Sequence, residues 1–107
     1  MPYRVYILLC SDGSYYTGSA ADVEKRVCEH NDGVMRDSYT FSRRPVKLIW
    51  VSEEVARYSD ALRFERQVKG WSRAKKDALM RGDYDAIHGI VKYERKRREK
   101  DKKKTSR

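Results

Sequence analysis

The feature that most constrains this fold lies in residues 5–17. It is an apolar pentapeptide, a tight-turn signal and a second run of strand-forming residues. Val5 to Leu9 is apolar on both faces apart from Tyr6, the pattern of a strand covered by other elements. Ser11-Asp12-Gly13 marks a turn, and Ser14 to Thr17 resumes an extended segment. The loop length decides which side chains share a face. A two-residue Asp-Gly loop would send Tyr6 and Tyr16 to opposite faces of the sheet. A three-residue loop, with Gly13 in the left-handed region, pairs Tyr6 with Gly18 and Leu8 with Tyr16 and puts both tyrosines on one face. The longer loop is required if the tyrosines serve one site, and Gly18 opposite Tyr6 leaves room for the ring.

Downstream, Asp22 is placed to cap a helix running to about residue 31 and ended by Asn31-Asp32-Gly33. Its apolar positions are Val23 and Val27. Arg26 and His30 fall three and seven residues after Val23, so this helix points an arginine and a histidine inward. Residues 34–44 read as an irregular loop with Tyr39, Phe41 and two arginines. Pro45 opens a strand from Val46 to Val51 that is mostly apolar on both faces. A second helix is expected to start near Ser59-Asp60 and to pack through Ala61, Phe64, Val68 and Trp71, with Glu65 beside that stripe. Gly70 and Ser72 interrupt it, residues 73–81 form a shorter basic helix stopped by Gly82, and Tyr84 to Val91 suggests another. The order β-β-α-β-α-α predicts an α+β fold, a three-stranded sheet with helices packed on it and its first two strands antiparallel, with a basic C-terminal tail. Residues 1–82 are expected to form the functional domain. Residues 83–107 are expected to form a C-terminal helix and a basic, partly disordered tail.

The chain has 107 residues, 38% of them charged, and a formal net charge of +9. That excess suggests a polyanionic partner. Its location qualifies the inference. Residues 92–107 carry ten Lys/Arg against three Asp/Glu, a net +7, which leaves the other 91 residues almost balanced. A basic face on the folded part must come from local clusters. Arg43, Arg44 and Lys47 form one candidate with Lys69, Arg73, Lys75 and Lys76 as the second, and each can also be read as a solvated surface. Two cysteines and two histidines make no zinc pattern, and both thiols are read as reduced in a cytoplasmic protein that could associate with the nucleoid. No signal peptide is legible, and no apolar run approaches the ~20 residues of a membrane span.

Hydrolysing a phosphodiester needs an oriented, deprotonated water, charge that offsets the pentavalent phosphate, and a stabilised leaving oxygen. The inward set of Tyr6, Tyr16, Arg26, His30 and Glu65 can supply each part. One carboxylate such as Glu65 can hold a hard divalent ion, with waters in the remaining positions. Each residue also has a structural reading: a core tyrosine with one partner, a hydrogen-bonded core histidine, or an Arg26–Glu65 ion pair.

In this order and at these spacings, Tyr6, the triplet Tyr16-Thr17-Gly18, Arg26, His30 and Glu65 resemble the GIY-YIG nuclease domain, and its small stand-alone bacterial branch in particular. Supporting stretches are Asp22-Val23-Glu24-Lys25-Arg26, His30-Asn31-Asp32-Gly33, Arg44-Pro45-Val46-Lys47-Leu48 and Ala61-Leu62-Arg63-Phe64-Glu65. The last is also similar to the metal-binding segment of the family's flap- and junction-cutting member. Arg4 stands where the family name has its first glycine, and Thr17 where it has the second isoleucine. The resemblance implies a three-stranded antiparallel sheet flanked by helices and metal-dependent cleavage of nucleic acid, DNA ahead of RNA, on branched or damaged forms as in repair. Tyr6 would act as or assist the general base, Tyr16 would position water or phosphate, and Arg26 would stabilise the transition-state charge. His30 would share proton handling or hold the phosphate, and Glu65 would bind Mg²⁺ or Mn²⁺. With no second domain recognised, a protein partner is a candidate source of substrate choice. The alternative is a nucleic-acid-binding accessory module of the same fold that cuts nothing.

Overall fold

In the computed structural model, which describes residues 2–87, Gly13 takes a left-handed φ of 84°. The hairpin therefore has the longer loop. Strand β1 (Arg4–Leu9) runs antiparallel to β2 (Tyr15–Ala20), with Tyr6 opposite Gly18 and Leu8 opposite Tyr16. Asp12 braces the turn by accepting from the Ser14 backbone N–H at 3.0 Å and from the Ser14 hydroxyl at 2.5 Å. The third strand, β3 (Lys47–Val51), pairs antiparallel with the other edge of β1, so the sheet order is β2-β1-β3.

Helix α1 (Val23–Asp32) begins where the Asp22 side chain accepts from the Lys25 N–H and ends at Gly33, whose φ is 73°. Val23 and Val27 pack with Tyr6, Leu8, Tyr16 and Ala20, which defines the α1 face of the sheet. The opposite face carries Val5, Ile7 and Thr17, all buried, and is covered by α2 (Tyr58–Lys69). The link is Trp50, opposite Ile7 on β3, whose ring meets Phe64 of α2 edge to face at 6.4 Å. Ala61 and Val68 of the expected stripe are fully buried.

Three local details differ from the sequence reading. The second helix starts at Tyr58, and the residue at its N-cap, Arg57, makes no side-chain cap, so Ser59 and Asp60 sit in the first turn. The loop before β3 contains one 3₁₀ turn, Phe41–Arg43. β3 reads from sequence as covered, yet Leu48 and Val51 are about two-fifths exposed. It is an edge strand, and these two residues line an open groove with Arg4 and the first turn of α1.

The chain divides into two units, Met1–Trp71 and Ser72–Arg107. Within the second, α3 (Arg73–Arg81) is capped by the Ser72 hydroxyl and stopped by Gly82 at φ 71°. Residues 84–87 are helical. The rest of the helix expected to Val91, and the basic tail of residues 92–107, lie outside the described residues. No helix among the described residues is long and apolar enough to cross a membrane.

Candidate active site

Strand alternation and the hairpin register place Tyr6 and Tyr16 on the α1 face, with ring centroids 6.4 Å apart. Tyr6 fits there because Gly18 faces it. A Cβ on residue 18 would lie 2.5 Å from the Tyr6 Oη. One helical turn beyond Arg26, His30 projects from α1 onto the same spot and is only 1% exposed. Its Nε2 is 3.0 Å from Tyr6 Oη, and its ring lies edge-on to Tyr16 at 5.1 Å. The other ring nitrogen, Nδ1, is 2.7 Å from Thr40 Oγ1, a hydroxyl with no solvent exposure. Thr40 Oγ1 is in turn 3.1 Å from Ser38 Oγ.

Burial is the main electrostatic force on this cluster. It pushes the Tyr6 phenol well above the ordinary tyrosine range, aided by the neighbouring Tyr16 and Glu65, while the Arg26 charge and a hydrogen bond from Arg26 pull the other way. Tyr16 is raised by burial and by Glu65, and lowered by a hydrogen bond from Ser38 and by Arg26. His30 is pushed below 6.5 by burial and then by Arg26, with Glu29 opposing, so the imidazole is neutral at neutral pH. The fields of Arg26 and Glu65 thus both reach the tyrosine hydroxyls. Arg4–Glu54 and Arg43–Asp12 form ion pairs, whereas Arg26 and Glu65, both among the described residues, are not paired with each other. From α2, Lys69 also reaches the cluster, its Nζ 5.2 Å from the Tyr16 ring centroid.

Of the five residues read from sequence as chemical, Tyr6, Tyr16 and His30 therefore meet on the α1 face, and Arg26 and Glu65 act on the tyrosine hydroxyls electrostatically. The basic residues read as nucleic-acid contacts are more dispersed. Lys69 is at the site. Arg43 is engaged locally: its guanidinium bonds Asp12 at 3.0 Å and the Tyr39 carbonyl at 2.8 Å, and covers the Tyr39 ring at 3.7 Å. Arg44 is exposed, but it bonds the Phe41 carbonyl and stacks on the Phe41 ring. Lys47 is exposed at the start of β3. In the second unit Arg73 is exposed, Lys76 half-buried, and Lys75 only 9% exposed. That burial removes Lys75 from a solvated basic face.

Sequence reasoning missed Ser38, Tyr39 and Thr40. They lie in an irregular loop where no periodicity assigns a face, and the only available signal was a run of three hydroxyl-bearing residues. Tyr39 stacks nearly parallel to Tyr16, at 6.4 Å and 13°. Arg4, at the position of the missing glycine, bonds the Ser52 carbonyl at 2.9 Å and pairs with Glu54, so it ties the start of β1 to the segment after β3.

A single carboxylate, Glu65, whose field reaches the tyrosine hydroxyls suits a hard divalent ion that keeps most of its waters. Among the described residues no group of three or more His, Cys, Asp or Glu side chains is placed to enclose a metal without water.

The chain is similar to known proteins over most of its length. Residues 2–78 match the model of the GIY-YIG catalytic domain. The chain is 49% identical over 77 residues to a UPF0213 protein of Syntrophus aciditrophicus, covering 72% of this chain and 87% of that one. It is 47% identical over 77 residues to a UPF0213 protein of Halobacterium salinarum, covering 72% and 97%. A protein of E. faecalis solved in solution by NMR is similar at 32% identity and a TM-score of 0.54, over 78% of this chain and 88% of that one.

Proposed function

The chain belongs to the family of GIY-YIG catalytic domains, and from that premise we propose that it is a metal-dependent endonuclease that hydrolyses phosphodiester bonds of nucleic acid, DNA ahead of RNA. The observation that carries this reading is the buried Tyr6–His30 hydrogen bond, set among Tyr16, Arg26 and Glu65 with no Arg26–Glu65 ion pair to account for the charges. A packing role alone gives no reason to set two half-buried opposite charges, not bonded to each other, around a buried phenol.

In this mechanism Tyr6 takes a proton from the attacking water, and His30 stands behind it as proton acceptor. Arg26 offsets charge on the phosphate oxygens as it builds, and Tyr16 orients the phosphate or the water by hydrogen bonding. Lys69, beside Tyr16, contacts the adjoining phosphate. Glu65 would hold Mg²⁺ or Mn²⁺, which when bound supplies Lewis-acid stabilisation of phosphoryl oxygen. Substrate choice, on branched or damaged DNA, would draw on contacts beyond this site, including a protein partner.

The test is cleavage of a panel of supercoiled, single-stranded and branched DNA, with RNA alongside, in Mg²⁺, in Mn²⁺ and with a chelator. The expected result is metal-dependent nicking or cutting of at least one DNA form. Binding without cleavage of any polymer in either metal would favour the accessory-module reading.

A further inference from the structure

Tyr6 and Tyr16 are joined by more than a shared face. From Tyr6 Oη the contacts run to His30 Nε2 at 3.0 Å, from His30 Nδ1 to Thr40 Oγ1 at 2.7 Å, and from Thr40 Oγ1 to Ser38 Oγ at 3.1 Å. Ser38 also lies close enough to Tyr16 to favour the charged form of its hydroxyl. His30 and Thr40 are at most 1% exposed, so water cannot substitute for these partners.

The direction of this chain follows from counting protons. A hydroxyl has one proton to give. Tyr6 is only 1% exposed, and the acceptor its hydroxyl meets among the described residues is His30 Nε2, so the Tyr6 O–H donates there. A neutral imidazole that accepts at Nε2 carries its proton at Nδ1 and donates it to Thr40 Oγ1. Thr40 in turn gives its own proton to Ser38 Oγ.

We infer that Thr40 and Ser38 are positioning residues that hold His30 as its Nδ1–H tautomer, so that Nε2 accepts the Tyr6 proton. The inference rests on the nuclease reading above and deepens it. The step balances as follows. Water gives one proton to Tyr6 Oη while Tyr6 passes its own to His30 Nε2. The resulting hydroxide oxygen bonds phosphorus, and the leaving oxygen departs with the electron pair of its broken P–O bond and is protonated from solvent. The imidazolium returns its proton to solvent after product leaves. A phenol raised by burial is a poor base by itself, and a fixed acceptor behind it removes that difficulty.

Several groups face the pair and bear on its pH dependence. They are Tyr6 from β1, Tyr16 from β2, Arg26 and Glu29 from α1, and Ser38 and Thr40 from the loop. Glu65 and Lys69 of α2 reach the tyrosines.

The experiment is nitrogen NMR of the His30 ring in the uniformly labelled protein, which needs no substrate, paired with cleavage kinetics on a branched DNA. The wild-type spectrum should report a proton on Nδ1 and a bare Nε2 at neutral pH. Thr40→Val should shift the ring toward the other tautomer and lower kcat on the order of a hundredfold with KM unchanged. Thr40→Ser should restore both, and the half-exposed Ser38→Ala should weaken the preference even if Thr40→Val fails to fold. A proton on Nε2 in the wild type, or an unchanged tautomer in both Thr40→Val and Ser38→Ala, would overturn the inference. So would an equal kcat loss in Thr40→Ser. A wild-type protein with the Nδ1–H tautomer but no cleavage would overturn the nuclease reading and leave the assignment of the imidazole standing.

Discussion

At the residue scale the site depends on Tyr6 being admitted to the sheet, and Gly18 admits it. Gly18→Ala puts a methyl 2.5 Å from Tyr6 Oη and 2.6 Å from its Cζ. The ring has little freedom to yield, because His30 holds its far end. We expect a loss of about 1–3 kcal/mol, read from urea unfolding, together with loss of the Tyr6–His30 hydrogen bond. His30 gives a second expectation. Its folded value lies below 6.5, so the unfolded chain binds the proton first. The stability from the neutral ring is therefore fully present above pH 6.5 and lost as pH falls through the depressed folded value. Melting temperatures taken from pH 7.5 downward should begin to fall just below that point, with a shallower slope in His30→Asn.

At the element scale, what could be read from the sequence was what local chemistry dictates. Asp12-Gly13 set the hairpin register, and with it the shared face of the tyrosines. Asp22 and Gly33 fixed the ends of α1, and hence the inward aim of His30. The start of α2 was misplaced because the helix takes Arg57 at its N-cap without a capping side chain, so Ser59-Asp60 was a false signal. The coverage of β3 was misread because apolar periodicity cannot distinguish a central strand from an edge strand with a groove beside it. The loop of residues 34–44 was opaque, since its order comes from contacts distant in sequence. Arg43 reaches back to Asp12 of the hairpin turn, and Thr40 reaches His30 of α1. Asn31 shows the same principle at the end of α1. Its amide donates to the Val46 carbonyl at 3.0 Å and accepts from the Val46 N–H at 2.7 Å, which docks the chain just before β3. Asn31→Ala should cost about 1–3 kcal/mol by leaving both backbone groups unpaired, with faster amide exchange at Val46 as the local readout.

At the scale of the whole molecule, a small sheet presents two phenols on one face while α1 and α2 bring in charge from two sides. The buried apolar residues of the two faces hold this arrangement, and the chemical groups take up space that a purely structural core would fill with Leu and Val. The net charge contributes less than its size suggests, because most of it is sequence beyond residue 91. Beside the buried Tyr6–His30 hydrogen bond that carries the functional reading stand Arg26 and Glu65, whose charges both act on Tyr6 and which are not bonded to each other. The measurement that tests that reading most directly is the single-turnover cleavage rate of Glu65→Ala against wild type in saturating Mg²⁺ or Mn²⁺, with the melting temperature of each protein recorded on the same preparation. Loss of cleavage with a melting temperature near that of wild type is the predicted result. Undiminished cleavage by Glu65→Ala, with or without a drop in melting temperature, would contradict it.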